Sequence, residues 1–414
     1  METVPKVYNV AGRTVLLQQN NYGIVHVEAA LNMGFMHETE KTSGISHLLE
    51  HVLTDGWSGC GKIGSCSRYW EEKGVNMNAS TDQSFMNFFV EGLPNEVKNM
   101  VSYICTICET PQFSDVVLAN EKKAVTNELI TYGAEPDSPL QSAFNHAMYT
   151  GGVALKDDWE LQIRNLKHLD LDLLRATFER CFNPANVVYL VISNLRHDQV
   201  LPLFEAQFRK TRPAQANPLP ELPCFRRQPD LIFVRADTGK NMTLKLGFPS
   251  VRSPLDNVLI PLLCSVLHNL LFDALRTTSH LVYNIQVEND PNVCGGVLYL
   301  QYDVLEKNLL QSWDIVQEIL EKYHKTTLPE KNVFAARQRY IFDHHKERHY
   351  STDFVEQFLF QQNKKGTPLF YSRDAKLNEV SRCTARALTG LYRRICPLEE
   401  AVCAYQGSKG LIKK

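Results

Sequence analysis

Short runs rich in β-branched and aromatic residues punctuate this chain. Between them lie longer stretches whose apolar positions recur three and four apart. The first kind reads as strand and the second as helix. Phe85–Glu91 and Leu298–Val304 are strand-like, while Glu96–Pro111 and Leu309–His324 are helical, and a shift of 213 residues lays each first segment on its second. The same shift carries Phe178–Pro184 and the apolar strand behind it onto Leu391–Pro397 and Ala401–Tyr405. Each half then reads strand, strand, helix, strand, strand, helices, final strand. Strands and helices segregate rather than alternate strictly. The pattern therefore predicts an α+β fold built twice, each copy a mostly antiparallel sheet packed with helices.

Between the copies, the stretch from Thr211 to Asp230 carries Pro213, Pro218, Pro220, Pro223 and Pro229. Proline at that density blocks helix and central strand alike and favours an extended spacer. The expected division is a first domain over 1–210, a linker over 211–230 and a second domain over 231–414, and a length of 414 residues accommodates it.

Charge and composition narrow the partners. Lys and Arg number 44 against 46 Asp and Glu, a net charge of −2, so neither nucleic acid nor an anionic membrane is predicted as the main partner. No apolar run approaches the ~18 residues of a membrane helix, so no integral span is expected. The 11 cysteines are odd in number and scattered from Cys60 to Cys403, with no secretory leader pattern at the N-terminus. Free thiols in a reducing intracellular compartment are the expectation.

The candidate chemistry lies in the first half. His47-Leu48-Leu49-Glu50-His51 is an H-x-x-E-H sequence. On a helix, residues four apart share a face, so His47 and His51 can grip one zinc ion. Glu50 projects beside that ion, where a carboxylate can take a proton from a water that the metal has acidified to a pKa of ~7. The bland alternative is an amphipathic helix with surface histidines. Thr42 or Ser43 is the expected cap, and Leu48, Leu49 and Val52 the buried side. A catalytic zinc wants a third protein ligand. Glu121 and Glu128 lie seven residues apart in a helical stretch, two turns along one face. Glu128 is the candidate third ligand, and Glu121 the group one layer out that orients a histidine ring. Taken alone, the pair also reads as a solvated helix face.

These residues resemble the pitrilysin family of zinc metallopeptidases. That pattern places 76 residues between the last histidine and the glutamate ligand, as between His51 and Glu128 here, with another glutamate seven before it. Gly34, Glu38 and Gly44 lead into the motif in the family manner. Gly74–Thr81 resembles a G-x-x-x-N-A-x-T segment whose strand pairs with extended substrate. The resemblance implies substrate contacts at Asn78 and Ala79, one zinc ion per chain, and two similar domains enclosing a cleft. It extends to Asn183-Pro184-Ala185-Asn186 before a closing strand. In the second half, Arg276 and Tyr283 match an arginine and tyrosine that hold substrate and steady the tetrahedral intermediate. The positions equivalent to His47, His51 and Glu128 are Ile260, Cys264 and Ile341, so the second copy is degenerate.

The length resembles the short-subunit branch, which includes the mitochondrial processing peptidase, whose β subunit carries the metal. In that branch a second subunit, identical or different, closes around the substrate; a monomer stays open as an alternative. The acidic pair that reads a presequence arginine is replaced by Gln141 and Asn145. A mitochondrial or related matrix is the favoured compartment, with cytoplasm the alternative.

Other motifs read as structural. His344, His345 and His349 lie in a basic helix, and Cys105 and Cys108 in a helical run without redox context. His26 and His37 read as structural. The expected function is zinc-dependent hydrolysis of short unfolded peptides or N-terminal targeting sequences. The alternatives are a general oligopeptide-degrading peptidase and a non-catalytic scaffold subunit.

Overall fold

A computed structural model describes residues 4–61, 65–183, 186–209, 211, 225–226, 229–236, 241–250, 252–292, 295–346, 354–359, 361 and 369–412. Pro184, Ala185, most of the Pro-rich linker and His349 fall outside them. The chain forms two compact units. The first comprises Met1–Gly133, Gly151–Leu222 and Tyr350–Ser372; the second comprises Ala134–Thr150, Pro223–His349 and Arg373–Lys414.

In the first unit, six strands form one sheet: β1 (Lys6–Val10), β2 (Arg13–Gln19), β3 (Val25–Leu31), β4 (Asn76–Thr81), β5 (Met86–Gly92) and β6 (Val187–Ser193). Their order is β1-β2-β6-β3-β5-β4, with β2 and β6 parallel and the other neighbours antiparallel. Every residue of β3 and β6 is buried. A strand covered on both faces has no reason to alternate. One face packs on helices that contribute Leu48, Leu49, Val101, Ile104, Leu174 and Phe204 to a common core. The other face is covered by the short helix Phe354–Leu359, whose Val355 and Leu359 pack on Leu16, Ala30, Val188 and Leu190. By contrast β4, at the sheet's edge, alternates between exposed and half-buried positions.

The second unit repeats the plan with β7 (Asp230–Arg235), β8 (Asn241–Ser250), β9 (Val282–Asn292), β10 (Gly295–Leu305) and β11 (Val402–Gly407), in the order β7-β11-β8-β10-β9. Again one pair, β7 with β11, is parallel and the rest are antiparallel. Shifted by 213, β6 lands on residues 400–406 and so on β11. The helix Ile45–Thr54 lands on 258–267, inside the helix Pro254–Phe272. The α+β class and the twofold plan read from the sequence are those of the structure.

Two segments sit across the expected boundaries, for packing reasons. The helix Ser138–Met148 lies against β7 and β11 and so belongs with the second unit, although it precedes residue 210. The helix Phe354–Leu359 belongs with the first because its apolar side chains cover that sheet. The expectation of no long apolar stretch also needs correction. Pro254–Thr278 is long and apolar enough to cross a membrane by length and composition, yet half of its most apolar window is buried within the protein. It packs on β9 and on the helices Glu330–Lys346, Arg373–Arg382 and Ala385–Ile395, as a core helix does.

Candidate metal centre and active site

The H-x-x-E-H residues lie on the helix Ile45–Thr54, whose Leu48, Leu49, Val52 and Leu53 are buried in the core. Its start differs from expectation. Neither Thr42 nor Ser43 caps it; the N-cap is Gly44, at φ 93°, with no side-chain cap. Thr42 instead accepts the Thr39 N–H. The helix N–H groups are met from further away by Glu38, whose two carboxylate oxygens accept from the N–H groups of Gly44 and Ser46, each at 2.8 Å. Burial pushes the Glu38 carboxyl up to about 7, against the pull of those N–H donors.

The helical spacing sets His47 and His51 on the face opposite the core, with ring centroids 4.9 Å apart. Facing them is the helix Asp115–Gly133, anchored by buried Val125 and Leu129. One oxygen of Glu128 lies 3.4 Å from Nε2 of His47 and 3.4 Å from Nε2 of His51. The other ring nitrogen of His51, Nδ1, lies 3.0 Å from Glu121. Proton placement follows: with Nδ1–H donated to Glu121, the lone pair on Nε2 points toward Glu128.

His47, His51 and Glu128 are the group among the described residues that could hold a metal, their ligand atoms all within 4.8 Å of one another. Two imidazoles and a carboxylate form a donor set that zinc accepts. The spacing also fits: ligands ~2.05 Å from a tetrahedral zinc stand about 3.3 Å apart. The 3.4 Å separations meet that requirement.

Local electrostatics agree. Burial, with His51 adjacent, pushes His47 down to about 4, so in the metal-free chain it is neutral at ordinary pH. His51 is moved the other way. Burial opposes its charge, but the Glu121 hydrogen bond and the nearby Glu128 and Glu50 carboxylates outweigh it. Glu50 is 8 % exposed, and burial raises its carboxyl against the Thr81 hydroxyl, which donates to Oε2 at 2.6 Å.

All of this opens on a cleft of 620 Å³ in the first unit, lined by His47, Glu50, His51 and Glu128 and walled by Met77–Thr81 of β4. The structure thus brings together His47, Glu50, His51, Glu121, Glu128, Asn78 and Ala79. It adds Tyr132, Lys156 and Trp159 to the wall, with the Tyr132 and Trp159 rings 5.6 Å apart. No spacing rule pointed to these three, because Tyr132 and Trp159 reach the cleft from helices, and Lys156 from a turn, whose packing is tertiary.

Arg276 and Tyr283 belong to the second unit and are neighbours there. The helix Pro254–Phe272 continues into a π-helical turn, Asp273–Thr278, and the Arg276 guanidinium sits 5.2 Å from the Tyr283 ring centroid. Tyr283 is 81 % exposed. Gln141 and Asn145 lie on the helix Ser138–Met148, where Gln141 bonds Asn145 at 3.3 Å and accepts from Lys245 Nζ at 2.5 Å. Asn145 and Lys245 are both buried. Cys105 and Cys108 are buried thiols, and His344 faces Asp374 at 3.6 Å.

Residues 14–155 match the family model Insulinase (Peptidase family M16), and residues 168–340 match Peptidase M16 inactive domain. Over 213 residues the chain is 19% identical to mitochondrial-processing peptidase subunit beta of Dictyostelium discoideum, covering 51% of this chain and 45% of that protein. It is 21% identical over 201 residues to cytochrome b-c1 complex subunit 1 of Rattus norvegicus, covering 48% and 41%. An uncharacterized zinc protease of Bacillus subtilis is 23% identical over 192 residues, 46% of each chain. The chain matches less than half the length of these curated relatives. Among solved structures, a peptidase M16 inactive domain from Pseudomonas fluorescens aligns with a TM-score of 0.84 at 14% identity, over 99% of both chains. A protease from Helicobacter pylori aligns at 0.81 and 16% identity, over 98% of this chain and 100% of that one. At such identities the structural likeness shows the fold alone. Fold and family models together define a two-domain protein of the metallopeptidase class, at the level of the family. The chain belongs to peptidase family M16, the pitrilysin family.

Proposed function

We propose that this chain is a zinc-dependent endopeptidase acting on short, unfolded peptides. The observation that carries the reading is the convergence of the His47 and His51 Nε2 atoms on one Glu128 oxygen, with the Glu50 carboxylate in the same cleft. His47, His51 and Glu128 would hold the ion. A zinc ion there supplies Lewis-acid polarisation of the scissile carbonyl and makes a water acidic enough to give up a proton near neutral pH.

The chain's own residues supply the rest. Glu50 takes the proton from the attacking water on a carboxylate oxygen and returns it to the leaving amine nitrogen. Glu121 keeps the Nδ1–H of His51 in place, so that Nε2 stays a ligand. Asn78 and Ala79 lie on an edge strand beside these groups, where Ala79 offers backbone and the exposed Asn78 side chain a further contact to an extended peptide, which gains main-chain hydrogen bonds whatever its sequence. For Arg276 and Tyr283 the proposed role is donation to the developing oxyanion, resting on the chemistry of a guanidinium beside an exposed phenol.

Cleavage of targeting presequences is the narrower form of this proposal, supported by the similarity to a processing-peptidase β subunit. Gln141 and Asn145 do not favour an arginine-reading site, because Gln141 holds the buried Lys245 ammonium and neither carries charge. General oligopeptide degradation is therefore the companion form. A scaffold role draws support from the similarity to a cytochrome b-c1 subunit, and the complete His47, Glu50, His51 and Glu128 set speaks against it. Association with a second chain, and a mitochondrial or cytoplasmic setting, belong to the same proposal.

The test is hydrolysis of an unfolded basic peptide, with cleavage sites mapped by mass spectrometry, by zinc-loaded wild type and Glu50→Gln. Cleavage by the wild type alone supports the reading. A folded, zinc-loaded wild type that cleaves nothing, alone or with added subunits of the same family, would sink it.

A further inference from the structure

We propose that Thr81 is the positioning residue for the general base, and that it links the substrate-binding edge directly to the proton-transfer step. The inference rests on the assignment of Glu50 above. Thr81 closes β4, the edge strand, pairing with Met86 of β5. The Asp82 N–H is donated to the Phe85 carbonyl at 2.8 Å, which by alternation along the register turns the Thr81 and Ala79 backbone to the open edge, where the Ala79 N–H meets the Asn78 side chain at 2.9 Å. Backbone direction alternates along an antiparallel strand, so Met77, Ala79 and Thr81 share that outward edge.

Side-chain direction alternates too. Asn76, Asn78 and Ser80 are exposed, whereas Met77, Ala79 and Thr81 are half-buried on the face toward the motif helix. From that face the Thr81 hydroxyl donates to Oε2 of Glu50 at 2.6 Å. This is the hydrogen bond to the Glu50 carboxylate among the described residues, and its short length marks a charge-assisted contact. It fixes the rotation of the carboxylate and occupies one oxygen. Oε1 remains for the water's proton.

One residue therefore serves two partners. Its backbone belongs to the edge that an extended peptide would extend, and its side chain sets the orientation of the base. Peptide pairing at β4 restrains Thr81, and Thr81 restrains Glu50. The linkage predicts an effect on turnover rather than on binding.

The experiment compares zinc-loaded, full-length wild type, Thr81→Val and Thr81→Ser on the same unfolded peptide, with zinc content and thermal midpoint measured for each. Valine keeps the shape and removes the hydroxyl; serine restores it. The expected result is a kcat lowered roughly 10–100-fold in the valine variant with KM unchanged, as for other groups that orient a catalytic side chain. Serine is expected to recover most of the rate, and zinc content to stay at the wild-type level in all three. If valine perturbs folding, Thr81→Ala replaces it against serine. A wild-type kcat without the hydroxyl, a serine variant as slow as valine, or a loss confined to KM would each overturn the proposal. A zinc-loaded wild type with no turnover overturns the peptidase reading and this inference with it, whereas an active Thr81→Val overturns this inference alone.

Discussion

Nδ1 of His51 lies 3.0 Å from Glu121, and Nε2 of the same ring lies 3.4 Å from Glu128, two turns further along the helix that carries both carboxylates. One imidazole is thus gripped at both nitrogens by a single helix. With the Nδ1–H donated to the outer carboxylate, the inner nitrogen is left to bind a metal.

Replacing Glu121 by Gln weakens that control without removing a ligand. Zinc affinity is expected to fall about 10–100-fold. Chelator competition reads the change directly. Excess zinc should restore hydrolysis; an unchanged affinity would mean that His51 needs no outer partner.

Glu50→Gln removes the proposed base and leaves the three proposed metal ligands in place. Hydrolysis is expected to fall by roughly 10²–10⁴-fold, with zinc bound at the wild-type ratio. Parallel metal analysis and peptide assays test both halves. Lost zinc would show that Glu50 shapes the centre rather than the chemistry.

Gly44 opens the motif helix at φ 93°, and a Cβ there would lie 3.3 Å from Gln162. Gly44→Ala combines a left-handed backbone with a tight contact. A loss of about 1–2 kcal/mol in unfolding free energy is expected. Urea denaturation measures it, and a neutral result would mean that the helix start shifts freely.

His37 offers a pH test away from the metal ligands. Its Nδ1 accepts the Gly34 N–H at 3.2 Å, and burial pushes its pKa down to about 4. The folded state therefore binds its proton only near pH 4, while the unfolded chain binds one near 6.5. Between those values unfolding takes up protons, so this group's contribution is fully present above pH 6.5 and is lost as pH falls toward 4. His37→Asn keeps an acceptor and does not titrate. Relative to the variant, the wild type is expected to lose on the order of 1–2 kcal/mol between pH 7 and pH 5. Parallel curves would refute the assignment.

Most of the candidate site's residues could be grouped from the sequence, because their spacing is local. A period of four puts His47 and His51 on one helix face, and a period of seven does the same for Glu121 and Glu128. The helix starts were harder to read. Thr42 and Ser43 have the right chemistry for a cap, yet Glu38 does the work, since a carboxylate buried in the fold can reach N–H groups that a neighbouring hydroxyl would otherwise take. The wall formed by Tyr132, Lys156 and Trp159 left no periodic trace either.

What the sequence by itself determined is the twofold α+β plan and the spacing of the candidate metal ligands, because periodicity and spacing record which side chains share a face. Strand order, the parallel pairing of β2 with β6 and of β7 with β11, and the placement of Phe354–Leu359 on the first sheet were decided by tertiary structure alone. So was the meeting of Thr81 with Glu50. These depend on which apolar faces bury one another most completely, and a linear pattern states only that such faces exist.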